Sequence, residues 1–287
     1  MLISEFIASD YKDQHFVVVI GHPVSHSRSP EIHNVALSYH NLDVRYYALE
    51  CPESELHLIP ELFKLNGFCG ANVTIPLKKK IIEFLDDSDE SARDIGAVNT
   101  VVSDPQTGQL LGYNTDAYGF MVPLREVHDI RTVTILGTGG ASRAICHALL
   151  KHGVEKLFLV SRRQNNQVLD FEQPGRLTRI TYDDLEHAIV HSDLIVNCTP
   201  VGMHPETEQS PIPDTLMPLL KGKYCYDIIY NPPETTLLQK AKANKALTIG
   251  GLDMFIHQAA RSFELWFGKP MPIDLVRNVL LEMINKS

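Results

Sequence analysis

The segment at residues 132–143, Thr-Val-Thr-Ile-Leu-Gly-Thr-Gly-Gly-Ala-Ser-Arg, constrains this chain more than any other. Its first five residues suit a buried strand and run straight into a glycine-rich turn. Beyond the turn, Ala141, Ala144, Ile145, Ala148 and Leu149 keep the spacing of a helix with one apolar face. Gly153 stands where a glycine closes such a helix. Strand, turn and helix form the first unit of a dinucleotide-binding fold, in which turn amides and a helix N-terminus receive a pyrophosphate. Gly137 allows the tight turn and Gly139 the close approach of backbone to phosphate. Ser142 takes the last position of the G-x-G-x-x-G pattern, so the fingerprint is imperfect. Glycine turns also occur in α/β proteins that bind no nucleotide, so the surrounding chain has to decide.

That context is an alternation of strands and helices, which implies sheets that are at least partly parallel. Upstream, strands are expected at residues 15–21, 44–49, 70–74, 98–103 and 109–113, with a hairpin turn at 104–108. Helices are expected from Ser29, at 53–65, from Pro76, within 86–95 and from about Asn114 to His128. Downstream, strands are expected at 156–160, 193–198, 224–230 and 247–249, a helix at 234–243, and two final amphipathic helices around a break at Pro270 and Pro272. An NAD-binding unit carries an acidic residue about 20 residues beyond the glycines, to hold the ribose hydroxyl. This chain has Ser161-Arg162-Arg163 there. Two guanidiniums suit a 2′-phosphate, so NADP is the expected cofactor.

Several residues carry two readings. Ser29 before Pro30 fits the cap of a helix, yet Ser27 beside it makes a pair of hydroxyls suited to a small carboxylate. Lys78, Lys79 and Lys80 read as solvated charge, but their helical spacing lets only one face a cleft. A lysine in a first helical turn would also oppose the helix dipole. Asp116 fits a first-turn acid as well as a functional carboxylate.

Composition removes other classes of function. Acidic and basic residues are mixed at a net charge of −9 with no long basic run, which argues against a nucleic-acid partner or an anionic membrane surface. No apolar run reaches the length of a membrane span, and the first ten residues lack the pattern of a secretion signal. The five cysteines are scattered without a C-x-x-C pair, which reads as reduced thiols in a cytoplasmic protein. The thirteen histidines show no metal-ligand spacing, so no metal is expected.

From about His15 onward the chain resembles the shikimate dehydrogenase family, NADP-dependent enzymes that reduce 3-dehydroshikimate. The matching stretches, in order, begin with Ser25-His-Ser-Arg-Ser-Pro30, Gly70-Ala-Asn-Val-Thr-Ile-Pro-Leu-Lys78, Gly96-Ala-Val-Asn-Thr100 and Asn114-Thr-Asp116. They continue with Gly137-Thr-Gly-Gly-Ala-Ser-Arg143, Asn197-Cys-Thr-Pro-Val-Gly-Met203, Tyr226-Asp-Ile-Ile-Tyr230, and Gly251 through Gln258-Ala-Ala260. The resemblance implies a two-domain α/β fold. Residues 1–115 with 251–287 would form a substrate domain completed by the C-terminal helices, and residues 116–250 a Rossmann-type NADP-binding domain.

It further implies that Ser27 and Ser29 bind the substrate carboxylate. Thr74, Lys78, Asn99, Asp116 and Gln258 would surround the ring hydroxyls, with Tyr230 close by. Gly137, Thr138, Gly139, Gly140 and Ala141 would cradle the pyrophosphate, and Arg162 and Arg163 would meet the 2′-phosphate. Thr199, Ile228, Gly251 and Met254 would line the cofactor cleft. Lys78 and Asp116 are the expected catalytic pair, acting on a small-molecule substrate in a monomer or homodimer. A relative that also oxidises quinate, and a ligand-sensing protein that has lost catalysis, are the alternatives. Three departures from the family pattern are Ala117 after the Asn-Thr-Asp triplet, Asn166 at a commonly basic position, and a short polar segment at 164–176.

Overall fold

A computed structural model describes residues 1–163, 169, 171 and 175–284; Asn166 and most of the 164–176 segment lie outside the described residues. The chain divides into two compact units, one of Met1–Thr115 with Ala259–Ser287 and the other of Asp116–Gln258.

The first unit is built on β1 (Phe16–Gly21), whose six residues are all buried. A strand covered on both faces reads as a continuous apolar run, and Phe-Val-Val-Val-Ile-Gly is such a run. It pairs in parallel with β2 (Arg45–Glu50) and β3 (Phe68–Val73). β3 pairs antiparallel with β5 (Thr100–Ser103), which forms a hairpin with β6 (Leu110–Tyr113). The short β4 (Asp87–Ser88) completes the order β2-β1-β3-β5-β6-β4. One layer of core joins Phe16, Val18 and Ile20 to Ile3 and Phe6 of α1 (Ile3–Ile7) and to Ile59 and Leu62 of α3 (Ile59–Phe63). Burying each such side chain is worth about 2 kcal/mol.

α2 (Ser29–Tyr39) lies on β2 and is met by α10 (Ile273–Ile284). α9 (Leu252–Phe267) reaches the sheet through Trp266, whose indole N–H donates to the Val101 carbonyl at 2.8 Å. α4 (Glu90–Ile95) is capped by Asp89, which accepts from the Ala92 amide at 2.8 Å, and ends on Gly96 in the left-handed conformation.

The second unit is a parallel sheet of β7 (Thr132–Leu136), β8 (Lys156–Ser161), β9 (Leu177–Thr181), β10 (Leu194–Asn197), β11 (Tyr224–Asp227) and β12 (Leu247–Ile249). Its order is β12-β11-β10-β7-β8-β9, so the chain runs outward from β7 to one edge and then from β10 to the other. That reversal is the topological switch point of a Rossmann fold, where dinucleotides bind outside the carboxyl ends of the strands. α6 (Gly140–Lys151) follows β7, α7 (Leu185–Val190) precedes β10, and α8 (Thr236–Ala243) joins β11 to β12. α5 (Thr115–Met121) stacks Phe120 on Tyr226 with ring centroids 4.8 Å apart.

Several expected elements differ, each for a local reason. The helix expected at 53–65 is a 3₁₀ segment, Glu53–Leu58, followed by α3, because Pro60 disfavours a continuous helix through the residue before it. The helix expected to reach His128 turns into a 3₁₀ segment at Val122–Leu124, where Pro123 removes an amide donor. Ser29 is the first residue of α2 rather than its cap, and Arg28 flanks the helix without a side-chain cap bond. Lys78 lies in turns that follow a cis Ile75–Pro76 bond, and the 3₁₀ helix begins only at Lys80, so the helix-dipole argument for this lysine has no support. β11 ends at Asp227, and β9 and α7 had no marked periodicity in the sequence. Finally, residues 251–258, expected with the substrate domain, fall in the second unit, and the division runs through α9. The reason is packing: a methyl group at Gly119 would lie 2.6 Å from the Met254 carbonyl, so α5 and the start of α9 approach backbone to backbone.

Candidate active site

In the first unit the carboxyl ends of β1 and β3 bring two loops together. The loop after β1 holds Ser27 and leads to Ser29, which is buried. The turn after β3 holds Thr74 and Lys78. The loops are stitched to each other by the His22 amide, which donates to the Ile75 carbonyl at 2.9 Å, and by Thr74, whose amide donates to Ile20 at 2.9 Å. A methyl group at Gly21 would lie 2.8 Å from the Ile75 carbonyl, so only glycine admits this approach. The Lys78 carbonyl accepts from the Val98 amide at 2.8 Å, which ties its turn to the Gly96–Ala–Val–Asn99 stretch. Lys78 is half-buried, whereas Lys79 and Lys80 are exposed, a difference set by the turns they occupy rather than by helical spacing.

The loop at 22–28 has its own brace. Both Glu50 carboxylate oxygens face it: Oε1 accepts from the amides of Val24 at 2.8 Å and Ser25 at 3.0 Å, and Oε2 lies 2.9 Å from His22 Nδ1. Partial burial alone would raise this carboxyl, but the bonds from Val24, His22 and Ser25 outweigh it and hold the group below the usual carboxylate range.

Asn99 sits in a buried polar network. Its Oδ1 accepts from the Thr115 amide at 2.7 Å and its Nδ2 donates to Thr115 Oγ1 at 3.0 Å. Asn72 Nδ2 donates to Ser262 Oγ at 3.0 Å, and Ser262 Oγ lies 2.8 Å from Thr100 Oγ1 and 3.2 Å from Thr115 Oγ1. Tyr46 closes the network by donating its hydroxyl to Asn72 Oδ1 at 2.8 Å. Such a network, fully satisfied, fixes one geometry because every alternative strands a buried polar group. Sequence reasoning missed Glu50, Tyr46, Asn72 and Ser262 as site residues. Asn72 inside an apolar strand and Ser262 inside the apolar stripe of α9 were the readable signals; Tyr46 and Glu50 left none.

In the second unit, Asp116 is buried in the first turn of α5. One turn on, a methyl group at Gly119 would lie 2.8 Å from Gln258 Cβ, which brings Gln258 of α9 beside α5. Gln258 Nε2 donates to the Phe255 carbonyl at 3.0 Å, and the Phe255 ring stacks on Tyr230 at 4.1 Å. Gln258 and Tyr230 therefore gather around the first turns of α9, against the helix that carries Asp116.

The residues expected to hold the dinucleotide follow the carboxyl ends of β7, β8, β10, β11 and β12. Gly137 has φ +101°, and a methyl group there would lie 3.1 Å from Thr199 Cγ2 and 3.2 Å from the Cys198 carbonyl. Thr199 is held by Asn197, whose Oδ1 accepts from its amide at 2.9 Å and its hydroxyl at 2.7 Å. Asn197 in turn donates to Asp227 Oδ1 at 3.1 Å, which also accepts from the Ile229 amide at 3.1 Å, while Oδ2 accepts from Thr235 at 2.7 Å. Burial pushes the Asp227 carboxyl up to about 6 despite these bonds. Asp227 is a further residue that had no role assigned from sequence. Gly251 donates its amide to the Ile229 carbonyl at 3.2 Å and packs against Ile228, and Met254 is buried one turn into α9.

Gly139 flanks the first turn of α6 with no side-chain cap, and a methyl group built on it meets nothing within 4 Å. Uncapped amides of a twelve-residue helix, reached through open space beside a glycine, fit a pyrophosphate. Thr138 is exposed, Gly140 and Ala141 are half-exposed, and Arg162 and Arg163 stand exposed just past β8. Among the described residues there is no group of three or more side chains able to hold a metal ion. No described helix is long and apolar enough to cross a membrane.

A Rossmann-ordered sheet with this edge, paired in one chain with an α/β unit that presents serines, a lysine and a buried asparagine, defines a dinucleotide-dependent oxidoreductase of two domains. The family model for the shikimate dehydrogenase substrate binding domain matches residues 19–101, and that for the shikimate 5′-dehydrogenase C-terminal domain matches residues 251–281. A shikimate dehydrogenase (NADP(+)) of Symbiobacterium thermophilum is 37% identical over 92% of this chain and 92% of its own. The crystal structure of the Thermus thermophilus enzyme in complex with NADP(H) and shikimate superposes with a TM-score of 0.79 at 32% identity, over 93% of this chain and 98% of that one. Quinate dehydrogenase from Corynebacterium glutamicum in complex with NAD has a TM-score of 0.83 at 29% identity, over 93% and 98%. The chain belongs to the shikimate dehydrogenase family.

Proposed function

We infer that this chain is an NADP-dependent shikimate dehydrogenase, catalysing the reversible reduction of 3-dehydroshikimate to shikimate on the route to chorismate and the aromatic amino acids. The observation that carries this reading is the carboxyl edge of the second sheet, where Gly137 packs on Thr199, Gly251 packs on Ile228, and the helix after the glycine turn has no side-chain cap. The unit of Met1–Thr115 with Ala259–Ser287 would bind the substrate and the unit of Asp116–Gln258 the cofactor.

When bound, NADPH supplies the hydride that reduces the substrate carbonyl. Ser27 and Ser29 hold the substrate carboxylate by hydroxyl donation, and Thr74, Asn99 and Gln258 orient the ring hydroxyls, with Tyr230 against the ring. Lys78 gives a proton to the oxygen as it gains negative charge and takes it back from the hydroxyl in oxidation. Asp116 accepts a hydrogen bond from that hydroxyl and aligns it. Arg162 and Arg163 bind the 2′-phosphate through charge-assisted bonds, which favours NADP over NAD. The thiols of Cys51, Cys69, Cys146, Cys198 and Cys225, none of them in a disulfide, fit a reducing compartment such as the cytoplasm.

The test is turnover of shikimate and of quinate, each with NADP and with NAD. Shikimate with NADP is expected to give the highest kcat/KM. Comparable turnover of quinate would move the assignment to the dual-substrate reading, which the likeness to the Corynebacterium enzyme keeps open. Failure of a folded sample to turn over either acid would point to a ligand-sensing protein. Lys78→Ala is expected to lower kcat by a factor of about 10² to 10⁴ with the thermal midpoint unchanged. Near-normal turnover would remove Lys78 from its role.

A further inference from the structure

We propose that Glu50 is a positioning residue for substrate binding: it folds the loop at 22–28 so that Ser27 and Ser29 meet the substrate carboxylate together. The proposal rests on the shikimate dehydrogenase reading and adds to it a residue outside the recognised motifs.

The bonds run in one direction along the loop. Glu50 Oε1 accepts from the Val24 and Ser25 amides at 2.8 and 3.0 Å. The Val24 carbonyl accepts from the Ser27 amide at 2.9 Å, and Ser27 Oγ accepts from the Ser29 amide at 3.3 Å. Two hydrogen-bonded steps thus separate Glu50 from Ser27, and a third reaches Ser29. The Ser27 oxygen is committed to the Ser29 amide as acceptor, which leaves its hydroxyl proton for an anion. Glu50 is itself anchored. It is the last residue of β2, in register with Gly21 at the end of β1, and its amide donates to the Met1 carbonyl at 2.8 Å. His22 closes the other side of the carboxylate through Nδ1.

The need for such a brace follows from the loop's composition. Between β1 and α2 the chain is His-Pro-Val-Ser-His-Ser-Arg, and only Val24 of its side chains is buried. A loop with one apolar anchor has little packing to hold it, so amides facing a fixed acceptor determine its course. What the acceptor contributes is geometry rather than charge. Glutamine supplies the same acceptor toward Val24 and Ser25, and its amide N–H₂ can face His22 Nδ1 once that ring carries its proton on Nε2. Aspartate keeps the charge but is one methylene short of the two amides.

Steady-state kinetics of the full chain test this. Glu50→Ala is expected to raise KM for shikimate about tenfold or more, with kcat within twofold and the NADP dissociation constant unchanged. Glu50→Gln is expected to stay within threefold of the wild type, and Glu50→Asp to follow Glu50→Ala, so Asp carries the test if Ala does not fold. Ser27→Ala introduced into Glu50→Ala is expected to add less than twofold to KM, because the first substitution has already lost what the second removes. An unchanged KM, a kcat that falls in step with KM, a failure of Gln to rescue, or multiplicative effects of the pair would each overturn the proposal. Wild-type turnover is measured first: its absence sinks the functional reading, whereas active wild type with indifferent Glu50 variants sinks only this one.

Discussion

His33 and Asp227 are buried ionisable residues with opposite consequences for stability. Neither ring nitrogen of His33 has a hydrogen-bond partner, and the ring stacks on Tyr46 at 4.5 Å with 2° between planes. Burial lowers its pKa from 6.5 to about 3. A base whose folded pKa is depressed favours the folded state above its unfolded pKa and loses that contribution as pH falls from about 6.5 toward 3. At about 1.4 kcal/mol per pH unit the loss is about 5 kcal/mol at most. His33→Phe, which keeps the stack, is expected to shift acid unfolding to lower pH by circular dichroism; an unmoved midpoint would count against this origin. Asp227 runs the other way. Its folded pKa is raised from 3.8 to about 6, so its contribution is full below 3.8 and is lost as pH rises through 6. Relative to wild type, Asp227→Asn should gain about 3 kcal/mol of stability between pH 4 and pH 8. A difference in denaturant stability that stays flat across that range would refute it. Asp227 was quoted within a motif yet had no role, because two of the groups it accepts from, Asn197 and Thr235, lie outside that motif.

Among the elements, β7, its turn and α6 were fully readable, since a strand, a glycine turn and an amphipathic helix each declare themselves within a few residues. The first two glycines of the turn, Gly137 and Gly139, separate fold from binding. At Gly139 the space beside Cα is empty and φ is −77°, so Gly139→Ala is expected to keep the wild-type thermal midpoint while weakening NADP at least tenfold by fluorescence titration. At Gly137 an alanine would need φ +101° and would crowd Thr199 and Cys198, so Gly137→Ala is expected to cost about 1–3 kcal/mol of stability as well. Tight NADP binding by Gly139→Ala would place the pyrophosphate elsewhere. Elements interrupted by proline were misjudged: Pro60 and Pro123 sit inside periodic apolar patterns, and periodicity alone carries no account of the missing amide. The edge strand β9 and the short α7 have too few buried positions to declare a period.

For the molecule as a whole, the first unit depends on chain that arrives last. Phe263, Val276 and Leu280 are fully buried, Trp266 donates to Val101, and His40 Nε2 lies 2.8 Å from the Pro270 carbonyl. A fragment of residues 1–115 is therefore expected to lack a cooperative thermal transition, and joining residues 259–287 to it through a flexible linker is expected to restore one. A sharp transition in the shorter fragment would show that the C-terminal helices are dispensable. By itself the sequence determined the alternation of strands and helices, the glycine turn between β7 and α6, and the family to which the chain belongs. Each of these is written in residues that are neighbours along the chain. Only the tertiary structure decided where the second unit ends, because α9 shows one unbroken apolar stripe although its first turns pack on α5. It alone revealed Glu50 against the loop of Val24 and Ser25, and Ser262 against Asn72 across 190 residues of chain. Such pairs are set by strand order and helix packing, which bring distant polar groups together where water is absent, and no local period records that.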